Sequence, residues 1–346
     1  MRLWPYDARH DPKRSEDANR ASEGDIVAAL EGEVGRHRHG DSIHAHLEPH
    51  PHDRGAEGAP TVGVVGAGAV GTALGVAISR AGWPVRAVSS RDRAKLDRFA
   101  GLVPTARPFP DPVAVVDEVE LVILAVPDDA VASVAERLRL YAGQAMVHTS
   151  GLLDAQVLHP ALAAGSHIGA FHPLVSFTSD VERSVAGLRG ATAALEGDDT
   201  LVELLADLAE RLGLVPVRLP AGSKPAYHAA AVLASGGLVA LLDAIASLAA
   251  TAGIAEDGAL GIYGRLLEQT LANARAGGID EALTGPVVRG DIGTLESHVA
   301  ALRAHAPAVL DLYLALARRE LQIAERRGAL TPEQVRRVAT ALAKGA

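Results

Sequence analysis

From Thr61 onward, short apolar runs alternate with longer stretches in which apolar positions recur at helical spacing. The runs "TVGVVG", "PVRAVSS", "ELVILAVP", "QAMVHTS", "SHIGAFHP", "ATAALEG" and "VPVRLP" read as strands. Between them "AVGTALGVAISRAG", "AVASVAERLRLY" and "TLVELLADLAERLG" read as helices. "ELVILAVP" is apolar without alternation, as expected of a strand covered on both faces. The rhythm predicts an α/β domain with a doubly wound, mostly parallel sheet over residues 59–220. After Gly222 the pattern turns helical throughout, in "KPAYHAAAVLASGGLVALLDAIASLAATAG", "LGIYGRLLEQTLANARAGG", "TLESHVAALRAHAP" and "AVLDLYLALARRELQIAERRG". An all-α C-terminal domain is therefore expected over 221–346. Residues 1–58 follow neither pattern. They are polar and histidine-rich and read as a disordered extension, with one short helix around "EGDIVAALEGEV". The pairs His37/His39, His44/His46 and His50/His52 have the spacing of a chelator, but no metal is needed to explain them.

Composition narrows the function classes. The chain has 346 residues, 48% of them apolar, with a formal net charge of -9 and no cysteine. The acidic balance argues against a nucleic-acid surface. The missing cysteines exclude disulfides, zinc–thiolate sites and a thiol nucleophile, and they fit a reducing, cytoplasmic setting. Mean hydropathy is +0.15. The longest apolar run, at 229–242, stops at Asp243. It is shorter than a bilayer requires and is expected to be a buried helix of a soluble protein, with no membrane partner. The N-terminus lacks the apolar core of a secretion signal.

The chemistry begins with "GVVGAGAVG". Gly66, Gly68 and Gly71 stand in the spacing of a dinucleotide-binding turn, here between a strand and a helix. This makes the first domain Rossmann-type, with Ala67, Ala69 and Val70 completing the loop around the pyrophosphate. At the end of the second strand, Ser89, Ser90 and Arg91 replace the acidic residue that usually binds the ribose hydroxyls of NAD. Arg91 can pair with a 2′-phosphate, so NADP(H) is the expected cofactor, and Asp92 is read as the cap of the next helix. Ligands of such sheets sit at the carboxyl ends of strands, which puts Val126 and Pro127 beside the cofactor. Asp128 there reads as a helix cap. The same edge receives His148, Thr149 and Ser150 from "HTSG" and His172 from "FHPL". Ser150 and His172 are candidate substrate contacts. His148 reads rather as a structural histidine.

The helical domain opens with Lys224 and His228, one turn apart on one helix face. A lysine facing the cofactor edge can protonate an oxygen as hydride arrives at carbon, with His228 holding it or the substrate. Ser235 continues the stripe roughly 16 Å away at 1.5 Å per residue, too far to share a small substrate, and reads as a packing residue. Further on, "LTGPVVRGD" places Thr284, Arg289 and Asp291 in a loop. Arg289 can clamp a carboxylate in two parallel hydrogen bonds. Asp291 either joins it or, with Thr294, caps the helix that follows. Glu296 suits that helix's dipole.

Together the glycine turn, "AVP", "HTSG", "FHPL", "KPAYHAAAVLASGG" and "LTGPVVRGDIGTLESH" resemble a bacterial family of uncharacterised proteins. Its members join a Rossmann-like domain to a helical domain of unknown function. The resemblance spans about residues 60–325. The family is similar to ketopantoate reductase, pyrroline-5-carboxylate reductase and the β-hydroxyacid dehydrogenases, and some members are implicated as an alternative ketopantoate reductase. Ketopantoate reductases carry a catalytic lysine and, four residues later, an asparagine. Lys224 matches the lysine, whereas His228 stands in the asparagine's place. The resemblance implies an NADPH-dependent reductase of 2-dehydropantoate, a small carboxylate, in pantothenate synthesis. With the Ala- and Gly-rich helix after Lys224, it also implies a homodimer through the helical domain. An imine reductase of the pyrroline-5-carboxylate type and a non-catalytic NADP(H) sensor are the alternatives.

Overall fold

The computed structural model describes residues 36–39, 42–45 and 59–345. Strands β1 (Arg36–His39) and β2 (Ser42–Ala45) pair antiparallel. The helix expected around "EGDIVAALEGEV", and His46, His50 and His52, lie outside the described residues. The chain divides into two compact units, one ending at His228 and one beginning at Ala229. The sequence reading places that boundary at 220/221. The structure moves it into the first helix of the helical domain.

The first unit holds strands β3 (Val62–Val65), β4 (Val85–Ser89), β5 (Arg107–Phe109), β6 (Leu121–Leu124), β7 (Ala145–His148), β8 (His167–Pro173), β9 (Thr192–Glu196) and β10 (Val215–Arg218). They form one sheet in the order β10-β9-β8-β7-β6-β3-β4-β5. Strands β3 to β8 run parallel, while β9 pairs antiparallel with β8 and carries β10 parallel to itself. Between them lie helices α1 (Ala69–Arg80), α2 (Arg93–Leu102), α3 (Val113–Val116), α4 (Asp128–Ala135), α5 (Val181–Ala186) and α6 (Asp199–Arg211).

Alternation along β6 shows why its sequence is apolar at every position. Leu121 and Ile123 join one buried cluster with Leu74, Phe99 and Leu205, whereas Val122 and Leu124 join another with Val115, Met146 and Leu158. Successive side chains point to opposite faces, so both faces are covered. Helix α6 is one of the covers. Asp198 caps it by accepting from the Leu201 amide, and Leu201, Leu205 and Leu208 are buried at helical spacing. Each such leucine stabilises the fold by about 1.5–3 kcal/mol. Strand β5 arises in the proline-punctuated stretch where no strand is expected. Helix α4 stops at Ala135 rather than running to Tyr141.

Because the chain leaves β3 for β4 on one side and returns to β6 on the other, the strand order reverses between β3 and β6. That reversal opens a crevice above their carboxyl ends.

Helix α7 (Lys224–Val232) leaves the first unit and enters the second. The second unit comprises α8 (Leu238–Thr251), α9 (Glu256–Gly277), α10 (Ile279–Ala282), α11 (Pro286–Arg289), α12 (Ile292–His305), α13 (Pro307–Arg326) and α14 (Pro332–Gly345). Its core gathers Val287, Leu295, Leu314, Leu321, Val338 and Leu342 from α11 to α14. The apolar run at 229–242 departs from expectation. A π-helical turn carries the chain through Leu233–Gly237, so the helix continues from Lys224 to Thr251 for 28 residues. Its most apolar window has a mean hydropathy of 2.0 and is only 6% buried. Length and composition alone therefore suffice to cross a membrane, and little of that window is buried within this chain. The alanines and glycines that suggested a core helix lie largely exposed beside Leu233 and Val239.

Candidate functional site

The glycine turn sits in the crevice at the strand reversal. Gly66 has φ +110°, and a Cβ there would lie 2.3 Å from the carbonyl oxygen of Ala125, just beyond β6. A Cβ on Gly71 would lie 1.9 Å from the Gly66 oxygen, so glycine alone lets the first turn of α1 settle on the strand end. Gly68 differs from both. Its φ is −75°, and a Cβ would meet nothing within 4 Å. Glycine is not required there by this chain's own packing, and the open space is what an approaching pyrophosphate needs. Gly68 is also the N-cap of α1 and offers no side-chain acceptor, so the first amides of the helix face the crevice without a capping partner. The residues present therefore fit a dinucleotide. Ala69 and Val70 line this turn, but Ala67 corrects the sequence reading. Its side chain is buried in the core and only its backbone can take part.

The adenosine end is mixed. Ser89 is 2% exposed, and its carbonyl accepts from the Gly66 amide at 2.8 Å, so its side chain is structural rather than a ribose contact. Ser90 Oγ accepts from the Asp92 amide at 3.2 Å, and Asp92 caps α2 through the amides of Ala94 and Lys95, as expected. Arg91 is exposed at the end of β4. Across the crevice, Val126 is half-buried and Pro127 is exposed. Pro127 is the N-cap of α4, and Asp128 is not. Asp128 sits inside the first turn, where its charge suits the helix dipole.

On the same sheet edge, β7, β8 and the head of α7 bring five side chains together. His148 is fully buried. Its Nδ1 accepts from the Ser150 amide at 3.2 Å, which places the ring proton on Nε2, 3.1 Å from the Asp154 carbonyl it donates to. Burial, reinforced by the nearby Lys224 charge, pushes His148 down to about 4, so it is neutral and structural. Ser150 is also a turn residue rather than an open substrate contact. It is 6% exposed, and its Oγ accepts from the amides of Leu152 and Leu153.

The sequence points to Lys224 as an ammonium open to the cofactor edge. In the structure it is 3% exposed, and Nζ donates to the carbonyls of Ser150 and Leu153. Glu196 Oε2 lies 3.5 Å away. Desolvation lowers its pKa against the opposing pull of Glu196. Lys224 thus clamps the loop after β7 to the end of β9.

His172 is half-buried and likewise pushed down to about 4, first by burial and then by the charges of Lys224 and His228. Its Nδ1 lies 3.3 Å from the Tyr227 hydroxyl, and its ring meets those of Tyr227 and His228 edge-on. A Cβ on Gly151 would lie 2.4 Å from His228 Nδ1 and 2.8 Å from His172 Nε2. The two imidazoles therefore converge on a glycine. His228 Nδ1 is buried with no hydrogen-bond partner. Sequence reasoning missed Tyr227, Gly151 and Glu196. Only "HTSG" hints at Gly151. The other two acquire meaning from strands that are far away in the chain.

In the second unit, Asp291 is the N-cap of α12. Its Oδ1 accepts from the Thr294 amide and its Oδ2 from the Thr294 hydroxyl at 2.7 Å, so it is a cap rather than a ligand group. Arg289 is exposed in the last turn of α11, before Gly290 in a left-handed conformation. Thr284 is exposed, and Glu296 lies early in α12, as expected. Ser235 is exposed and bonds the Ala231 carbonyl, so it is not a packing residue.

Fold and site together define a Rossmann-like scaffold with an appended helical unit. Family models agree: a Rossmann-like domain matches residues 52–173 and a domain of unknown function, DUF2520, matches residues 191–320. The chain carries these two domains in that order. Among solved structures it is similar to the Bacteroides fragilis protein BF3122, provisionally named an NADP oxidoreductase. Identity is 23%, the TM-score is 0.65, and the match covers 76% of this chain and 98% of that one. It is also similar to an imine reductase from Pseudomonas sp., with 19% identity, TM-score 0.57, and coverage of 82% and 99%. The 1-pyrroline-5-carboxylate reductase of Streptococcus pyogenes shows 16% identity, TM-score 0.55, and coverage of 79% and 99%. At these identities the likeness concerns the fold. No curated protein matches the chain in sequence.

Proposed function

We propose that this protein is an NADPH-dependent reductase of a small keto acid or imine acid, with 2-dehydropantoate the leading substrate. The observation that carries the reading is a shared sheet edge. An open glycine turn at the strand reversal and a pair of imidazoles converging on Gly151 both lie at the carboxyl ends of the parallel strands. The neighbours named as an NADP oxidoreductase, an imine reductase and a pyrroline-5-carboxylate reductase support it. Gly66, Gly68 and Gly71, with the free amides of α1, would hold the pyrophosphate, and Arg91 would hold the 2′-phosphate. When bound, the reduced nicotinamide supplies hydride. The 2-dehydropantoate assignment rests on the resemblance of Lys224 and its neighbours to ketopantoate reductase.

Imine reduction is the second reading, and His228 favours it. Its Nδ1 lacks a partner. An iminium N–H can donate to that atom, whereas a carbonyl oxygen cannot. Oxidation of NADPH with 2-dehydropantoate and with pyrroline-5-carboxylate, in parallel, separates the two. Parent turnover is expected with NADPH at least about tenfold better than with NADH, and Arg91→Ala should close that gap. Cofactor binding without turnover on any keto acid or imine would leave the sensor reading standing.

The helical unit is proposed to form a homodimer. Leu233 is 73% exposed, Val239 65% and Leu266 63%, on α8, α9 and the π-turn before them. Exposed apolar patches of this kind mark association surfaces. Leu233→Asp is expected to shift the protein from dimer to monomer in light scattering. A monomeric parent, or one recovered only with detergent or lipid, would count against the homodimer.

A further inference from the structure

Reduction of a carbonyl needs a proton as well as a hydride, and the lysine that sequence offers for it is already committed. Lys224 Nζ is spent on two carbonyls and lies beside Glu196, in a position that is 3% exposed. The inference that follows rests on the reductase reading. We propose that His172 is the proton donor of the reaction, held by Tyr227 in the tautomer that presents Nε2–H beside Gly151, with His228 Nδ1 as the acceptor facing it.

The geometry assigns each atom. Tyr227 is half-buried, and burial holds its phenol above the ordinary range, so it keeps its proton. That O–H lies 3.3 Å from His172 Nδ1. A phenol donating to Nδ1 leaves the ring's own proton on Nε2. Nε2 and His228 Nδ1 both crowd the place where a Cβ on Gly151 would stand, at 2.8 and 2.4 Å, so the two nitrogens lie close together over that glycine. A carbonyl oxygen or a neutral imine nitrogen brought between the two nitrogens accepts from His172. Once reduced to O–H or N–H, it can donate to His228. One donor and one acceptor suit the hydroxyl or amine product better than the starting carbonyl.

A neutral imidazole serves this purpose, because a hydrogen bond from Nε2–H polarises a carbonyl without a formal charge. As the carbonyl carbon gains hydride, its oxygen takes the Nε2 proton. Nδ1 takes the phenol proton; as product leaves, Nε2 takes a proton from water and Nδ1 returns its own to the Tyr227 phenolate, which restores the starting tautomer. Gly151 is required because any Cβ would lie within 2.8 Å of both rings. Lys224 is then a positioning residue, fixing the loop that carries Gly151.

NMR of selectively labelled histidine ring nitrogens in the full-length chain, with the His172→Gln spectrum assigning the ring, reads the tautomer without any substrate. The expected result is a proton on Nε2 in the parent and a shift toward Nδ1 in Tyr227→Phe. In turnover of the keto acid, His172→Gln should lose at least about 100-fold in kcat. Tyr227→Phe should lose about tenfold with KM unchanged, and both variants should keep the parent's NADPH affinity. A parent ring protonated on Nδ1 overturns the inference, as does His172→Gln turnover within about threefold of the parent. A parent that reduces no keto acid or imine overturns the reductase reading, and the catalytic half of this inference with it. The ring tautomer remains a separate answer, so the two failures differ.

Discussion

Gly71→Ala is expected to cost this protein both its cofactor and part of its stability, whereas Gly68→Ala costs only the cofactor. A methyl at 71 would sit 1.9 Å from the Gly66 oxygen and 3.1 Å from the Ala125 Cβ. Neither neighbour is a flexible side-chain tip. Gly66 is itself pinned, since its amide bonds the Ser89 carbonyl at 2.8 Å. Relief therefore means lifting the first turn of α1, whose residues Gly71 to Ile78 are all buried. Overpacking of this kind costs about 1–3 kcal/mol. A methyl at 68 would meet no protein atom within 4 Å, and the backbone there is of ordinary hand. It would occupy only the room left for phosphate. Denaturant midpoints and NADPH fluorescence titrations on both variants should show a lower midpoint in Gly71→Ala alone. Affinity should be weaker by at least about 100-fold in both, equivalent to about 2.7 kcal/mol. Unchanged affinity in Gly68→Ala would mean that the turn does not hold the pyrophosphate.

Acid should weaken the fold chiefly through His148. In the unfolded chain a histidine titrates near about 6.5. In the folded protein His148 is pushed down to about 4. Between those values the unfolded state binds the extra proton. Stability is therefore fully present above about 6.5 and is lost as pH falls toward about 4. The difference corresponds to about 3 kcal/mol. His172 shifts in the same direction, but it is only half-buried and contributes less. Urea midpoints measured at several pH values should fall through this window in the parent. His148→Asn, whose Oδ1 can accept from the Ser150 amide in place of Nδ1, should show a flatter profile at a lower starting stability. An equally steep fall in that variant would place the acid sensitivity elsewhere.

Much of this molecule follows from local pattern. Residues 59–220 alternate between strands and amphipathic helices, and the central strands are apolar throughout because a sheet covered on both faces needs apolar residues at every position, a need β6 meets. The glycine turn is legible in part for a similar reason, since Gly71 answers to a residue five positions away, although Gly66 also answers to Ala125. Gly71 needs to be glycine because of Gly66. Asp92 can be read as a cap because a cap acts on amides two or three residues away.

The reading fails where the deciding partner is distant. Lys224 and His228 share a helix face, but Ser150, Leu153 and Glu196 are what turn the lysine from a candidate donor into a clamp. Ser89 and Ser150 have side chains suited to binding, and the fold buries both. Tyr227 carried no signal until β8 set His172 against it. The helix from Lys224 to Thr251 has the composition of a core element, yet within one chain little of its apolar window is buried. Sequence by itself determined most of the element order, the mostly parallel sheet and the glycine turn, because periodicity and close-range sterics are written into neighbouring residues. Tertiary structure decided which polar groups are spent on one another and which keep a free atom, because that depends on contacts between strands and helices scores of residues apart.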